Sequence, residues 1–362
     1  MNRILLFIDS LGAGGAQRQL TGLACLLKEK GYSVKVATYY DHPFYKYLLD
    51  ENQIEYECFR VNSKLCLPKL VECIKRFKAD VVISFQTDPN ALACIAAKIC
   101  GTKLIVSERN THQGITWKDR IIFQLYRLAD YVVPNSYSEK NFIEKYFPHL
   151  KSKTQTIPNF VDLKRFSPTD RKEYNQGLLI LSVASVKASK NTKNFIKAYH
   201  EAFMRGCRAK VIWYGVNPKQ NDLAINYAYA NECQAMIKEL GIEDFFKLMP
   251  KRQDIENAYR EADIFCLPSH FEGTPNVICE AMASGLPVMA SNVCDNPHFV
   301  KSEENGWLFD QNNVPEMADV IVNATGGNWD LQAMGKRSRK FAEDLCSEDI
   351  FINRYLNLIK AL

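Results

Sequence analysis

Two glutamates share one short stretch, Phe271-Glu272-Gly273-Thr274-Pro275-Asn276-Val277-Ile278-Cys279-Glu280-Ala281-Met282-Ala283, which follows the apolar run Ile264 to Leu267. Gly273 and Pro275 impose a tight turn, and a helix is expected to begin near Asn276. The first amides of a helix lack intrahelical partners, so they can donate to an anion or to sugar hydroxyls. Glu272 precedes the turn and Glu280 stands about one turn into the helix, so both can face one crevice. A carboxylate is a bidentate acceptor suited to the vicinal hydroxyls of a ribose or a hexose. Each residue also has a plainer reading. Glu272 would cap the helix or pair with a lysine, and Glu280 would be a solvated helix residue. The strand–turn–helix setting and the small-residue continuation from Ala281 to Pro287 favour the binding reading.

Two more loops offer related chemistry. Val183-Ala184-Ser185-Val186-Lys187-Ala188-Ser189-Lys190-Asn191 joins a strand to a helix. By itself Lys190 would be a solvated lysine. Leu11-Gly12-Ala13-Gly14-Gly15-Ala16-Gln17 follows the first strand. As a dinucleotide fingerprint it fails at Gln17, where glycine or alanine is required. A plain strand-to-helix turn is the alternative there.

The elements that must position these loops alternate between short apolar runs and amphipathic segments, the pattern of βαβ units on a parallel sheet. In the first half the pattern predicts strands at 3–9, 33–39, 55–60, 80–85, 103–107, 130–134 and 154–157. Helices are predicted at 17–30, 67–78, 89–99, 119–128 and 138–146. Residues 158–176 are polar and proline-bearing and read as a linker. A second series follows, with strands at 178–184, 209–214, 245–249, 263–267 and 287–291. Its helices are expected at 191–205, 222–240, 253–260, 276–284 and 315–323, with a last one at 346–361.

The 362 residues suit two domains, and 47% hydrophobic content supplies two cores. No apolar run is long enough to span a bilayer, and Met1 to Ile8 is too short for a signal-peptide core. The expected compartment is the cytosol. The twelve cysteines are scattered, with no C-x-x-C pair, and read as buried thiols rather than zinc ligands or disulfides. Residues 1–170 hold 24 Lys and Arg against 17 Asp and Glu, net +7; the remainder holds 22 against 24, net −2. A basic first half suits a phosphorylated substrate or an anionic membrane. Nucleic acid is the weakest candidate, because no known nucleic-acid-binding motif is present. Lys64 to Lys78 mixes five cations with an apolar stripe, and reads equally as a membrane contact at the inner face or as an ordinary surface helix.

The segment F-E-G-x-P-x-x-x-x-E-A-M-A-x-G-x-P-V resembles the signature of retaining glycosyltransferase family 4. The loop ending in Lys190 resembles the family's G-R-x-x-x-x-K segment, with Ala184 and Ser185 in place of the usual Gly and Arg. The glycine loop at Gly14-Gly15 resembles the family's N-terminal one. Pro158-Asn159-Phe160-Val161-Asp162 with Phe166-Ser167-Pro168 resembles the entry to the linker. Tyr214-Gly215 stands at a family glycine loop whose second glycine is Asn217 here. Met249-Pro250-Lys251-Arg252-Gln253-Asp254-Ile255 resembles the segment that meets the nucleotide base.

The resemblance implies an α/β GT-B fold: two facing, doubly wound Rossmann-like domains with an interdomain cleft. An acceptor-binding domain is expected over 1–165, rejoined by the helix 346–362, and a nucleotide-sugar domain over 172–345. The implied activity is retaining, metal-independent transfer from a nucleoside diphosphate sugar, UDP-linked, with no cofactor. The acceptor would be a glycan or lipid-linked oligosaccharide in cell-surface polysaccharide synthesis, such as capsule, O-antigen or exopolysaccharide. Lys190 would hold the diphosphate, Glu272 the sugar and Glu280 the ribose. Gly14, Gly15, Ser185, Gly215, Lys251, Gly273, Thr274, Pro275, Asn276 and Val277 would complete the donor site. Many family members carry a histidine near Ser107-Glu108-Arg109-Asn110-Thr111-His112; here Arg109 becomes the candidate for a phosphate or acceptor contact, and His112 reads as a solvated loop residue. No well-placed general base is evident, so the diphosphate would take the acceptor proton. The rival readings are a sugar-nucleotide epimerase, a nicotinamide-dependent oxidoreductase and a non-catalytic sugar-nucleotide binder.

Overall fold

The computed structural model describes residues 2–169, 177–216 and 224–362. Part of the expected linker (170–176), Asn217 and the start of the helix expected from 222 lie outside the described residues. The chain divides into two units, Met1–Phe160 with Glu348–Leu362, and Val161–Ser347.

The first unit runs β1 (Arg3–Ile8), α1 (Gly15–Glu29), β2 (Ser33–Thr38), α2 (Lys46–Glu51), β3 (Glu55–Cys58) and α3 (Ser63–Phe77). It continues through β4 (Val81–Phe85), α4 (Thr87–Cys100), β5 (Lys103–Glu108), α5 (Trp117–Leu125), β6 (Tyr131–Pro134) and α6 (Tyr137–Tyr146). The second comprises β7 (Leu179–Val183), α7 (Thr192–Met204), β8 (Lys210–Val216), α8 (Ala224–Glu239), β9 (Phe246–Pro250), α9 (Ile255–Glu261) and β10 (Ile264–Leu267). It ends with α10 (Asn276–Ala283), β11 (Val288–Ser291), α11 (Asn296–Phe299), β12 (Gly306–Phe309), α12 (Val314–Thr325) and α13 (Leu331–Cys346). The last helix, α14 (Glu348–Lys360), belongs to the first unit.

Each unit is built on a six-stranded sheet, ordered β3-β2-β1-β4-β5-β6 in the first and β12-β11-β10-β7-β8-β9 in the second. Every described pairing is parallel. Alternate residues of β1 feed two cores. Ile4, Leu6 and Ile8 join α1 and α14, while Leu5 and Phe7 join α3 and α4. A strand buried on both faces must be apolar throughout, which is why β1 reads as one continuous run. In the second unit Ile180 packs with α7 and α12, and Leu181 with α9 and α10.

In both sheets the strand order reverses between the first strand and the fourth, β1/β4 and β7/β10. That reversal opens a crevice at the strands' carboxyl ends, where doubly wound sheets bind ligands.

Some expectations change. The strand expected at 154–157 does not form: Thr154 makes a single bridge to Val132 and Pro158 follows. The sequence reading did not include α2, α11, β12 or α13. Helix α3 begins at Ser63, where the Asn62 side chain caps it. Its apolar stripe, Cys66, Leu70, Cys73 and Ile74, is buried in the core; Lys64, Lys69, Lys75, Arg76 and Lys78 face solvent. No helix among the described residues is long and apolar enough to cross a membrane. All twelve cysteines are free, and burial pushes the Cys66, Cys73 and Cys94 thiols up to about 12.

Candidate active site

The loop after β7 passes into a short 3-10 turn, Ala188–Lys190, and then α7. It lies close against β8: Ala184 N–H donates to Tyr214 O at 3.0 Å, and the Trp213 indole donates to Ala184 O at 2.7 Å. A Cβ on Gly215 would stand 2.0 Å from Ala184 O, and its φ is +145°, so only glycine fits. On the other side, His270 N–H donates to Ser189 O at 3.0 Å, tying this loop to the one that follows β10.

That tie brings two predicted residues together. Lys190 Nζ lies 2.5 Å from Glu272 Oε1, both side chains mostly shielded from solvent. The pair stands at the β7/β10 reversal, where the second sheet's ligand crevice is expected. Glu272 therefore does have a lysine partner. Pairing and binding are compatible, since a lysine that faces a carboxylate can turn to an arriving phosphate.

Gly273, Thr274 and Pro275 make the turn, and α10 begins at Asn276 with no side-chain cap on its first amides. Glu280 is not a solvated helix residue. It is 5% exposed and accepts from the Tyr259 hydroxyl at 3.0 Å. Ser185 is half-buried in the β7 loop, and Val277 is half-buried in the first turn of α10. Lys251 is exposed beyond β9. Its neighbour Arg252 is held by Asp254 and Glu261 and reaches the Tyr214 hydroxyl. The hydrogen bonds from Arg252 keep the Asp254 carboxyl well below the usual carboxylate range.

In the first unit Gly14 and Gly15 open α1, again without a side-chain cap. Arg109 has other partners: its guanidinium donates to Asn159 Oδ1 at 2.6 Å and to the Tyr355 hydroxyl at 2.7 Å, and lies 3.9 Å over the Phe85 ring. It therefore fastens α14 to the β5 loop. Any phosphate or acceptor contact would use a group already engaged.

His112 is a correction. Rather than a solvated loop residue, it is largely enclosed, stacked on Phe142 at 5.3 Å. Its Nδ1 lies 2.7 Å from the buried Glu139 carboxylate on α6, and its Nε2 3.7 Å from Asp119 on α5. Burial acts to lower its pKa, but Glu139, Glu108 at the end of β5, and Asp119 outweigh that and raise it. The sign follows: a pKa raised on folding lends stability that is complete below the ordinary value of 6.5 and fades as pH climbs through the raised one. The Tm advantage of the wild type over His112→Gln should therefore shrink above pH 6.5. Melting curves from pH 6 to 9 check this; a constant difference would refute it.

Glu108 is fully buried, and burial raises its pKa; it accepts from Thr87 Oγ1 at 2.7 Å and from the Tyr126 hydroxyl at 2.6 Å. Thr87, His112, Asp119 and Asp9 line a cavity of about 430 Å³ in this unit. Asp9, Gln86, Glu139 and Tyr259 were missed by the sequence reading. Asp9 alone left a signal there, a carboxylate at the carboxyl end of the first strand.

Two families match. "Glycosyl transferases group 1" matches residues 164–341, and "Glycosyltransferase Family 4" matches residues 13–165. The chain is 26% identical to an Escherichia coli UDP-Gal:alpha-D-GlcNAc-diphosphoundecaprenol alpha-1,3-galactosyltransferase, over 75% of this chain and 73% of that one. It is 27% identical to the Campylobacter jejuni GalNAc-alpha-(1->4)-GalNAc-alpha-(1->3)-diNAcBac-PP-undecaprenol alpha-1,4-N-acetyl-D-galactosaminyltransferase, covering 89% of each. Among solved structures, Anabaena HepE in complex with UDP superposes with a TM-score of 0.87 at 20% identity, over 99% of this chain and 100% of that one. The fold is GT-B, as that likeness and the two doubly wound parallel sheets show.

Proposed function

Because this chain belongs to glycosyltransferase family 4, its family 4 match over 13–165 being continued by the glycosyl transferases group 1 match over 164–341, we propose that it moves a sugar from a UDP-linked donor, with retention of configuration, to a glycan or lipid-linked acceptor. The observation that carries this reading is the Lys190–Glu272 pair at the β7/β10 reversal, beside the uncapped start of α10. The second unit takes the donor and the first takes the acceptor. The domain limits proposed for these roles are 1–165 with 346–362, and 172–345.

In the proposed reaction the anomeric C–O bond to the diphosphate breaks, and the acceptor oxygen bonds to the same face of the sugar. The departing diphosphate takes the acceptor's proton. Lys190 and the first amides of α10 stabilise the charge on the leaving diphosphate. Glu272 orients the sugar and Glu280 holds the ribose. Gly14, Gly15, Ser185, Gly215, Lys251 and the turn 273–277 complete the donor site. The reaction needs no metal. Relatives whose names specify diphosphoundecaprenol-linked substrates support a lipid-linked acceptor. With such an acceptor, the reaction we propose belongs to cell-surface polysaccharide synthesis at the inner face of the membrane.

A thermal-shift titration tests the reading. A ligand at a hundred times its Kd adds about 2.7 kcal/mol, which for a unit of this size is about 5–10 °C in Tm. UDP and its sugars should produce such a shift; no response to any nucleoside diphosphate would end the proposal. Ser185, uncharged where the family has arginine, favours one second reading, a binder without turnover; UDP release in the presence of acceptors separates the two.

The membrane contact proposed for residues 64–78 is electrostatic, since the apolar face of α3 is buried. Co-sedimentation with anionic vesicles should therefore be strong at low salt and lost in ~1 M salt, where charges screen within about 3 Å. Absence of binding at low salt would remove it.

A further inference from the structure

The parallel register of β1 and β4 pairs Leu6 with Ile83 and Phe7 with Ser84. Continued past the strand ends, it sets Asp9 beside Gln86, at the reversal of the first sheet. Gln86 has φ +78° and ψ +151°, a region that is essentially glycine's alone. Its backbone is fixed there, donating to Ser107 O at 3.0 Å and accepting from Asn90 N at 2.9 Å. Although it is the first-cap residue of α4, its side chain does not cap the helix. In the amide orientation that satisfies both side chains, its nitrogen instead donates to Asp9, 3.0 Å from Oδ1 and 3.3 Å from Oδ2. Strain kept in a non-glycine residue at a ligand crevice points to a use for the side chain.

Asp9 Oδ1 is crowded, with Ser10 N–H at 2.6 Å and Gln17 Nε2 at 3.0 Å besides Gln86. Among the described residues Oδ2 has the longer Gln86 contact alone, which leaves it able to accept from a ligand. Asp9 lines the 430 Å³ cavity with Tyr40, Asn110 and Thr87; the Asn110 amide donates to Thr87 Oγ1 at 2.9 Å and Thr87 in turn to Glu108, an aromatic residue beside a fixed polar wall of the kind that suits a sugar. The cavity's charges are mostly paired: Lys118 with Asp88 at 2.7 Å, and His112 with Glu139 and Asp119. Among the described residues Asp9 has no cationic partner, so the cavity is left with an uncompensated negative charge.

We propose that this cavity seats the acceptor's sugar ring, and that Asp9, positioned by Gln86, accepts the hydrogen bond of a ring hydroxyl beside the one to be glycosylated, whose own proton stays free to pass to the departing diphosphate. This rests on the glycosyltransferase reading and adds the acceptor's chemistry. The ring is neutral or amine-bearing, because the charge of Asp9 repels a uronic acid or a sugar phosphate.

The test uses the full chain with UDP-galactose as donor and, as probes, the p-nitrophenyl glycosides of N-acetylglucosamine and glucuronic acid. Probe binding is followed by saturation-transfer NMR and transfer by UDP release. Gln86→Gly should keep or raise Tm, because it removes the strain, yet raise the acceptor KM at least tenfold with a smaller change in kcat. Asp9→Asn should raise the same KM and narrow a preference of at least tenfold for the neutral probe over the glucuronide. The Tm shift given by UDP, whose proposed contacts are Gly14 and Gly15 and otherwise lie in the other unit, should be the same in both variants and the wild type. A wild-type acceptor KM in both variants overturns the proposal. So does a several-degree loss of Tm in Gln86→Gly with probe binding unchanged, or a wild type that binds neither probe while responding to UDP. If the wild type gives no UDP shift, the glycosyltransferase reading itself fails, and the probe-binding results still decide whether the cavity takes a sugar.

Discussion

Lys190→Ala is expected to reduce turnover by about 10²–10³-fold, the loss typical of removing one preorganised group that stabilises charge in the transition state. The negative charge on the diphosphate grows as the anomeric bond breaks, so a cation there acts more on the transition state than on the bound donor. The loss should therefore appear mainly in kcat. The 2.5 Å contact with Glu272 sharpens the prediction. Without Lys190, Glu272 remains mostly shielded from solvent beside the expected phosphate position, and its charge opposes the donor. Glu272→Gln removes that opposition along with part of the sugar contact. The double variant should then fall well short of the product of the two single losses, because the residues share one interaction. Steady-state UDP release from the four proteins measures this. A Lys190→Ala enzyme within a few-fold of wild type would remove Lys190 from the mechanism.

The second unit's site could be read in the sequence because its turn chemistry is local. Gly273 and Pro275 stand next to the residues they orient, and an apolar strand precedes them. The first unit's site could not, because it is assembled by register. Asp9 and Gln86 are 77 positions apart and meet only when β1 pairs with β4, and the unusual φ of Gln86 leaves no trace in residue type. His112 is similar: Glu139 on α6 converts an apparently solvated residue into an enclosed ion pair.

The missed elements have equally specific causes. Strand β12 begins with Gly306, whose absent Cβ would stand 1.9 Å from Val288 O. A close backbone approach requires that glycine, and a glycine so placed reads as a loop. Helix α13 buries Leu331, Met334, Gly335, Ser338, Ala342 and Cys346. Four of the six are small residues, yet the spacing is helical and the opposite face carries Lys336, Arg337, Lys340 and Asp344, so this amphipathic helix was legible and the sequence reading passed over it. Gly335 is small because Gly285 O would lie 2.1 Å from any Cβ there. The strand expected at 154–157 had the composition of an edge strand, and Gln155 and Ile157 N–H do donate to Val132 O and Pro134 O, but Pro134 on β6 has no N–H to return, so the ladder stops at the single bridge of Thr154.

Both sheets place a polar pair from two adjacent strand ends at the point where strand order reverses. In the second it is Lys190 with Glu272; in the first, Asp9 with Gln86. The chemistry of the pairs differs as the proposed ligands do. A cation suits a diphosphate, and a carboxylate with no cationic partner suits a neutral hydroxyl. On the proposed reading, the topology sets where each ligand would bind, and the side chains near the strand ends set which ligand it would be.

Glu280→Gln is expected to weaken UDP binding about 10–100-fold, since hydrogen bonds to a charged group are worth about 1.5–3 kcal/mol. Its effect on Tm should be small, because glutamine still offers an oxygen to the Tyr259 hydroxyl, now 3.0 Å from the carboxylate. Tyr259→Phe provides the contrast. It deletes that donor and keeps the carboxylate, so it should cost stability and leave UDP affinity nearly intact. If Glu280 grips the ribose, 2′-deoxy-UDP should bind the wild type less tightly than UDP, and the two nucleotides should become equivalent in Glu280→Gln. That convergence is a coupling between one carboxylate and one hydroxyl, which a purely structural glutamate cannot produce. Isothermal titration of both nucleotides against the three proteins decides it. Equal affinities for UDP in the wild type and Glu280→Gln would reduce Glu280, 5% exposed on α10, to a buried partner of Tyr259.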